Sequence, residues 1–360
     1  MGHFTTRALS ALVAIGASLG CAMPTDAPPV PDADSASCGS CHADHYDEWS
    51  GSPHANASRS PLLEAMLPEV ESAWGSLARD ACESCHEPRH APGDDGIGCV
   101  SCHAATGNHA ERDGELVVDL TRGIAGPTPS QPTSAHETRS SGFLTSPSLC
   151  GTCHELTGPN LVREPTLTEY RASPAAAAGV TCADCHLPAG EGPVASSHRF
   201  VGFDPPWGAA PEEARAAAAR TRELLASALD LRVEPAPGGV MVTLANVGAG
   251  HAVPTGATFL RDIWVDLELA TGARERVIVL GDQPMHADMP VALLTRADRV
   301  VAGTLAAGEE RAVFVPAEGL VEAYLRGRAV RDEVLAALGR EDLAVQVPTH
   351  EIQHTSAAAD

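Results

Sequence analysis

Five short stretches of this chain repeat one spacing of cysteine and histidine. They are Cys38-Gly-Ser-Cys41-His42, Cys82-Glu-Ser-Cys85-His86, Cys99-Val-Ser-Cys102-His103, Cys150-Gly-Thr-Cys153-His154 and Cys182-Ala-Asp-Cys185-His186. Two thiols three residues apart can lie along one edge of a porphyrin and bond its two vinyl groups. The histidine that follows then swings beneath the ring and binds iron, which is the spacing of covalent c-type haem attachment. The motifs take ten of the eleven cysteines. Structural zinc would group cysteines in fours or add a spaced histidine pair. A disulfide scaffold suits an exported protein, but a bridge between residues i and i+3 closes almost no loop entropy. Neither rival explains a histidine after every pair. The reading is five covalent haems, with His42, His86, His103, His154 and His186 as proximal iron ligands.

The second faces of five irons need ligands. Of the sixteen histidines, His3 lies in the leader and five are proximal, leaving His45, His54, His90, His109, His136, His198, His251, His286, His350 and His354. His45 and His90 follow a proximal histidine by only three or four residues and read as solvent-facing or as haem-propionate partners. His286, His350 and His354 are reserves. There is no lysine anywhere in the chain, so none can ligate iron.

Residues 38–204 resemble the multihaem cytochromes of the tetrahaem cytochrome c-554 family. The resemblance rests on Tyr46, Trp49 and Ser-Pro-His54-Ala after the first motif, and on Gly-Ile-Gly before Cys99. It also rests on His136 ahead of Leu149-Cys150, and on Gly-Val-Thr before Cys182 with Ser197-His198-Arg-Phe after it. Asn246–Gly256, NVGAGHAVPTG, resembles a motif downstream of the haems in larger multihaem cytochromes. The resemblance implies that His54, His136, His198 and His251 are distal ligands. His109, six residues past His103, is added from its position. A fifth motif and a C-terminal extension depart from the tetrahaem pattern.

Elements must position these groups. Residues 1–20 read as an export signal whose apolar run, Ala8 to Leu19, is too short to span a bilayer as a mature helix. Cys21, the leftover cysteine, follows Ser-Leu-Gly and reads as a lipidation site, with simple cleavage after Ala22 as the alternative. Residues 21–37 form a Pro/Asp/Ala tether. Residues 38–204 form the pentahaem segment, mostly irregular with short helices at Pro61–Leu77 and Thr166–Ala172 and few strands. Pro211–Asp230 is a helix with proline and glutamates at its start, and it occupies a connecting stretch, 205–230. Residues 231–360 read as a small β-rich, sandwich-like domain. Its strands are expected at Val240–Leu244, Ile263–Leu269, Arg276–Leu280, Arg311–Val315 and Leu343–Val347, with a helix over Gly319–Leu338.

Bulk composition agrees. Aromatic residues make only 4% of the chain, thin for a core of this size, and five porphyrins would supply the missing flat apolar surface. A formal charge of −23 argues against nucleic acid and anionic membrane surfaces as partners. Redox proteins fit better, with any membrane link made through lipid. Bis-histidine ligation closes both iron faces and holds the potential below that of His/Met ligation. The expected function is electron transfer by an exported, periplasmic or cell-surface lipoprotein, between a periplasmic or membrane donor and an acceptor. The alternative is a multihaem oxidoreductase with one open haem acting on nitrite or hydroxylamine. No Cys-x-x-Cys-Lys motif is present.

Overall fold

The computed structural model of the protein describes residues 34–89, 96–109, 114–126, 135–158, 160–189 and 196–359. The export signal, Cys21 and His90 lie outside the described residues. The expected tether ends in structure: Asp34 accepts from Ser37 N and caps the helix Ser35–Gly39.

The haem segment is built from short helices. The two longest pack against each other, Pro61–Trp74 and Ser76–His86, with Gly75 at φ 88° turning the chain between them. The single helix expected over Pro61–Leu77 therefore ends three residues early. Elsewhere helices of four to eight residues are started by local capping. Ser60 accepts from Leu63 N ahead of Pro61, Ser173 accepts from Ala176 N ahead of Pro174, and Thr181 with Asp184 makes a reciprocal capping box before Cys182. Three two-stranded ladders join them: Ala105–Asn108 with Leu116–Val118, Ile124–Gly126 with Thr138–Ser140, and Leu156–Thr157 with Arg163–Glu164.

The helix Pro211–Ala228 buries Thr221, Leu225 and Ala228 and runs directly into the strand Leu229–Ala236. Gln353 serves this junction: its amide donates to Ala226 O at 3.2 Å and its oxygen accepts from Leu231 N at 2.9 Å. Two sheets follow. In one, Glu310–Pro316, Gly239–Asn246 and Leu229–Ala236 lie side by side. The other runs Arg274–Leu280, Asp262–Leu269, Gly319–Arg328, His350–Ala359. Val240, Val242 and Leu244 of the first meet Ile263, Val265, Leu267, Val321 and Leu325 of the second in one buried cluster, so the domain is sandwich-like. A third, three-stranded sheet joins Gln283–His286 to Met289–Pro290 and Arg299–Val301.

Three expectations for this half are corrected. Gly319–Arg328 is a strand, and only Asp332–Ala337 is helical. Its Val321, Ala323, Leu325 and Gly327 are buried in strict alternation, and that period of two outweighs the helix propensity of the Leu/Arg/Glu composition. Leu343–Val347 forms no strand; Glu341–Gln346 is a 3-10 helix that buries Leu343. Leu229–Ala236 and His350–Ala359 are strands although neither was expected, because the first continues a helical pattern and the second is alanine-rich and polar.

A second buried cluster joins the two halves. Leu62, from the helix Pro61–Trp74, is enclosed with Phe259, Leu260, Leu293, Val330, Val334 and Leu335. Polar contacts reinforce it: Arg340 donates to Pro61 O at 3.0 Å, and Ala252 N donates to Glu169 Oε2 at 3.0 Å. The strongest is Arg261, whose guanidinium holds both oxygens of Asp204 at 2.7 and 3.0 Å and also reaches Ala329 O at 3.0 Å. Arg261 is buried, whereas Asp204 faces a cavity shared by both halves. Arg261→Met is expected to destabilise the folded chain by about 2 kcal/mol, because it removes a two-point charge-assisted hydrogen bond to the partly exposed Asp204 carboxylate. Denaturant unfolding followed by far-ultraviolet circular dichroism measures this, and a loss below about 1 kcal/mol would contradict the role given to the pair.

Candidate functional site

Each motif occupies one helical turn. In the first, His42 N donates to Cys38 O at 2.9 Å, and in the fourth, His154 N donates to Cys150 O at 2.9 Å. Cys99–His103 and Cys182–His186 are complete short helices, and Cys82–His86 is the last turn of Ser76–His86. Positions i, i+3 and i+4 of a turn share a face. Both sulfurs and the imidazole of each motif can therefore address one ring.

All ten motif cysteines line a single cavity of about 2230 Å³. Ten histidines line it too: the five proximal ones with His45, His54, His136, His198 and His251. A pocket for one small ligand holds roughly 300–1,000 Å³, so this space suits several large groups. Motifs touch through their thiols: Cys38 with Cys99, Cys85 with Cys153, and Cys150 with Cys182. Rings attached there would lie edge to edge. Cys41 is held in a disulfide in this structure, which attachment at that position requires to be opened.

The histidines meet in pairs. Ring centroids are 6.4 Å apart for His42 and His136, 6.4 Å for His54 and His154, 6.2 Å for His103 and His198, and 6.2 Å for His186 and His251. The last two pairs are nearly parallel, with interplanar angles of 15° and 19°. Two metal–imidazole bonds of about 2 Å each, with each ring centroid about another ångström behind its nitrogen, put trans imidazoles roughly 6.2 Å apart. The four pairs thus have the separation of two imidazoles sharing one metal ion, and every pair joins a motif histidine to one outside the motifs. No such ring contact joins His86 to a second histidine among the described residues.

Hydrogen bonds at Nδ1 orient these rings. His86 is bonded to Ala57 O at 3.0 Å, His103 to Ala125 O at 2.7 Å, His186 to Val201 O at 2.6 Å, and His154 to Glu164 Oε1 at 2.7 Å. On the opposite side His136 bonds Glu137 O, His198 bonds Ser196 O and His251 bonds Ala252 O. With Nδ1 donating, each Nε2 presents a lone pair, the tautomer a metal requires. His54 differs. Its ring is buried, and its Nδ1 has no hydrogen-bond partner, a costly arrangement unless another group completes it. Burial, then the neighbouring His154, pushes its pKa down to about 3, so it is neutral and able to donate a lone pair. Burial likewise lowers the pKa of His42, His103, His186, His198 and His251. For His154, burial is outweighed by the hydrogen bond and charge of Glu164, and its pKa rises. These residues fit five covalently held haems, four of them with two imidazoles.

The backbone that carries them is economical. The parallel ladder of Ile124–Gly126 with Thr138–Ser140 sets Ala125 O against His103 and His136 against His42. Arg139 ties it down, donating to Ala105 O at 2.7 Å and Gly123 O at 3.1 Å. The stretch from Ser197 to Phe203 supplies His198, Val201 O and Phe200, whose ring is 4.2 Å from that of His54. Glu48 accepts from His198 N at 2.7 Å and anchors it. His251 sits on the loop that leaves Gly239–Asn246. Asn246 holds that loop by donating to His251 O and Leu305 O and accepting from Ala249 N. Gly248 is required there, since a Cβ would stand 2.2 Å from Ser227 O.

The remaining candidates are placed as follows. His109 is exposed and outside the cavity, because the hairpin of Ala105–Asn108 and Leu116–Val118 carries it outward, its N–H bonding Glu115 O. His45, expected to face solvent or a haem propionate, is half-buried and lines the cavity, with its ring 4.9 Å from His198 and 6.1 Å from His42. His286 and His354 pair with Asp298 and Glu322 on the β domain, and His350 is buried against Phe203. Glu164 and Phe200 had no signal in the sequence, because only the fold brings them to a histidine.

Residues 37–104 match the family described as Cytochrome c554 and c-prime, a segment with the first three motifs and His54. No curated protein matches the sequence. Among solved structures the chain is similar to a penta-haem cytochrome c552 from Thermochromatium tepidum, with a TM-score of 0.64 at 17% identity. The alignment covers 92% of this chain and 100% of the other, so the likeness of fold takes in the C-terminal strands as well as the motifs. The family's pattern thus lies on the first three motifs, and the fold around the rest is similar to that of a penta-haem cytochrome.

Proposed function

We propose that the protein is an electron-transfer cytochrome carrying five covalent haems, at least four of them bis-histidine, exported and held to a membrane by lipid on Cys21. The observation that carries this reading is the set of four imidazole pairs, 6.2 to 6.4 Å between centroids, around one cavity lined by all ten motif cysteines. Bound there, haem iron supplies one-electron chemistry. The chain's residues do the rest. Paired imidazoles would hold each iron, Nδ1 hydrogen bonds orient the rings, and residues of the β domain such as His251 and Phe259 line one side of the cavity. Thiol contacts between motifs support close spacing of the groups. The likeness to a penta-haem protein supports the number five. Redox proteins are the proposed partners, in the periplasm or at the cell surface. No helix among the described residues is long and apolar enough to cross a membrane, so the proposed membrane link is the lipid alone.

A second reading has one specific observation behind it. His86 is oriented by Ala57 O like its counterparts, yet no second imidazole faces it among the described residues. An iron held by His86 alone keeps a face for a small ligand. On that reading the protein is an oxidoreductase for a small nitrogen compound such as nitrite or hydroxylamine, with the four closed sites delivering electrons.

Three outcomes are expected. A pyridine haemochrome assay with intact mass gives five covalent haems per chain, and low-temperature EPR of the oxidised protein gives four low-spin centres and one high-spin centre. Five low-spin centres, with no carbon monoxide binding after reduction, would remove the second reading and leave the first. His251→Ala turns one further low-spin centre high-spin with haem content unchanged; an unaltered spectrum would separate the Gly248–Gly256 loop from the iron at His186. Cys21→Ser moves the protein from the membrane fraction to the soluble one, and unchanged partitioning would exclude the lipid.

A further inference from the structure

The Nδ1 partners of the motif histidines are not alike. His86, His103 and His186 are bonded to backbone carbonyls, whereas His154 is bonded to a carboxylate, Glu164 Oε1, at 2.7 Å. Glu164 is delivered by the short hairpin in which Leu156 pairs with Glu164 and Thr157 with Arg163. Its side chain is only 17% exposed, and no arginine pairs with it among the described residues. Arg163 instead turns its guanidinium to Val162 O. The carboxylate makes its short side-chain contact with the His154 ring, and the Arg261 charge acts on it only through space.

A charge-assisted hydrogen bond is roughly twice as strong as a neutral one. A carboxylate behind a ligating histidine draws its Nδ1 proton and raises the basicity of Nε2. A more basic imidazole stabilises the more oxidised metal, so the reduction potential falls. We propose that Glu164 is a tuning residue that makes the iron site of His154 and His54 the lowest-potential site in the chain. The inference rests on the five-haem reading. It gives that site a definite place in the array. Its motif touches the second motif through Cys153 and Cys85, and the fifth through Cys150 and Cys182. The centre that holds its electron least tightly thus adjoins the His86 site, which no second imidazole faces among the described residues.

The test is an EPR-monitored redox titration of the full-length, haem-loaded protein. The signal of the His154 site is identified as the low-spin component lost in His54→Ala. In the parent this component is expected to be the last reduced. Glu164→Gln, which removes the charge, and Glu164→Asp, which withdraws the carboxylate from Nδ1, should each move its midpoint to more positive potential and leave the other components in place. Glu155→Gln is the control: Glu155 is next to His154 in the chain but bonds Thr168 N and Oγ1, so this change should shift the midpoint far less. Equal shifts in Glu155→Gln and Glu164→Gln would reduce the effect to general charge and overturn the proposal. So would an unmoved midpoint in either Glu164 variant with five haems retained. A parent chain lacking haem on the Cys150–Cys153 peptide would remove the five-haem reading itself, a failure distinguishable by mass.

Discussion

The architecture depends on hydrogen bonds from imidazole Nδ1 to acceptors that lie far away in sequence. A metal-binding histidine has two soft torsions and two competing nitrogens, and one bond at Nδ1 settles both. Here the segments that supply those acceptors also supply ligands to other motifs. The turn after His54 gives Ala57 O to His86 while His54 itself faces His154. The stretch after Ser197 gives Val201 O to His186 while His198 faces His103. In both cases one short segment orients one motif histidine and presents a ring to another, so moving either segment disturbs two motifs.

The same interlocking explains how a segment with so few apolar residues keeps a defined shape. Both clusters of buried apolar side chains belong mainly to the C-terminal half, and the haem half contributes Leu62 to one of them. The rest of the haem half is a wall around a cavity, and porphyrins are the interior that wall is shaped to enclose. The β domain is the rigid body against which the wall is braced, through Phe259 and Leu260 on Leu62 and through Arg261 on Asp204. His251 is carried across that brace, and its ring lies nearly parallel to that of His186.

Non-ligand rings fill the space between centres. His45 lies between the rings of His42 and His198, and Phe200 lies between those of His198 and His54. The first, third and fourth sites are thus connected by continuous ring contacts, and the second and fifth join the fourth through sulfur contacts. Such packing keeps the motifs close to one another.

Much of this was legible in the chain. Cys-x-x-Cys-His is a local device, complete within one helical turn, so its five occurrences stated the cofactor and the proximal ligands with no tertiary information. Strands such as Asp262–Leu269 showed themselves by alternation, and the Pro211 helix by its capping and composition. Residues His54, His136, His198 and His251 were reached through resemblance to a family, not through spacing, and each does face a motif histidine. His109 marks the limit, because closeness in sequence to His103 carries no information about a hairpin that turns away. His45 marks it from the other side: adjacency to His42 left solvent and a haem propionate both open, and only the fold sets its ring on the cavity wall beside His198. Gly319–Arg328 was misread because composition favours helix while burial between two sheets selects a strand. Which outside histidine faces which motif histidine, which carboxylate stands behind His154, and that no second imidazole faces His86 among the described residues were decided by tertiary structure alone. Those relations join residues up to 100 positions apart, the separation of His54 and His154; no periodic pattern along a chain encodes a contact made only when loops close on one another.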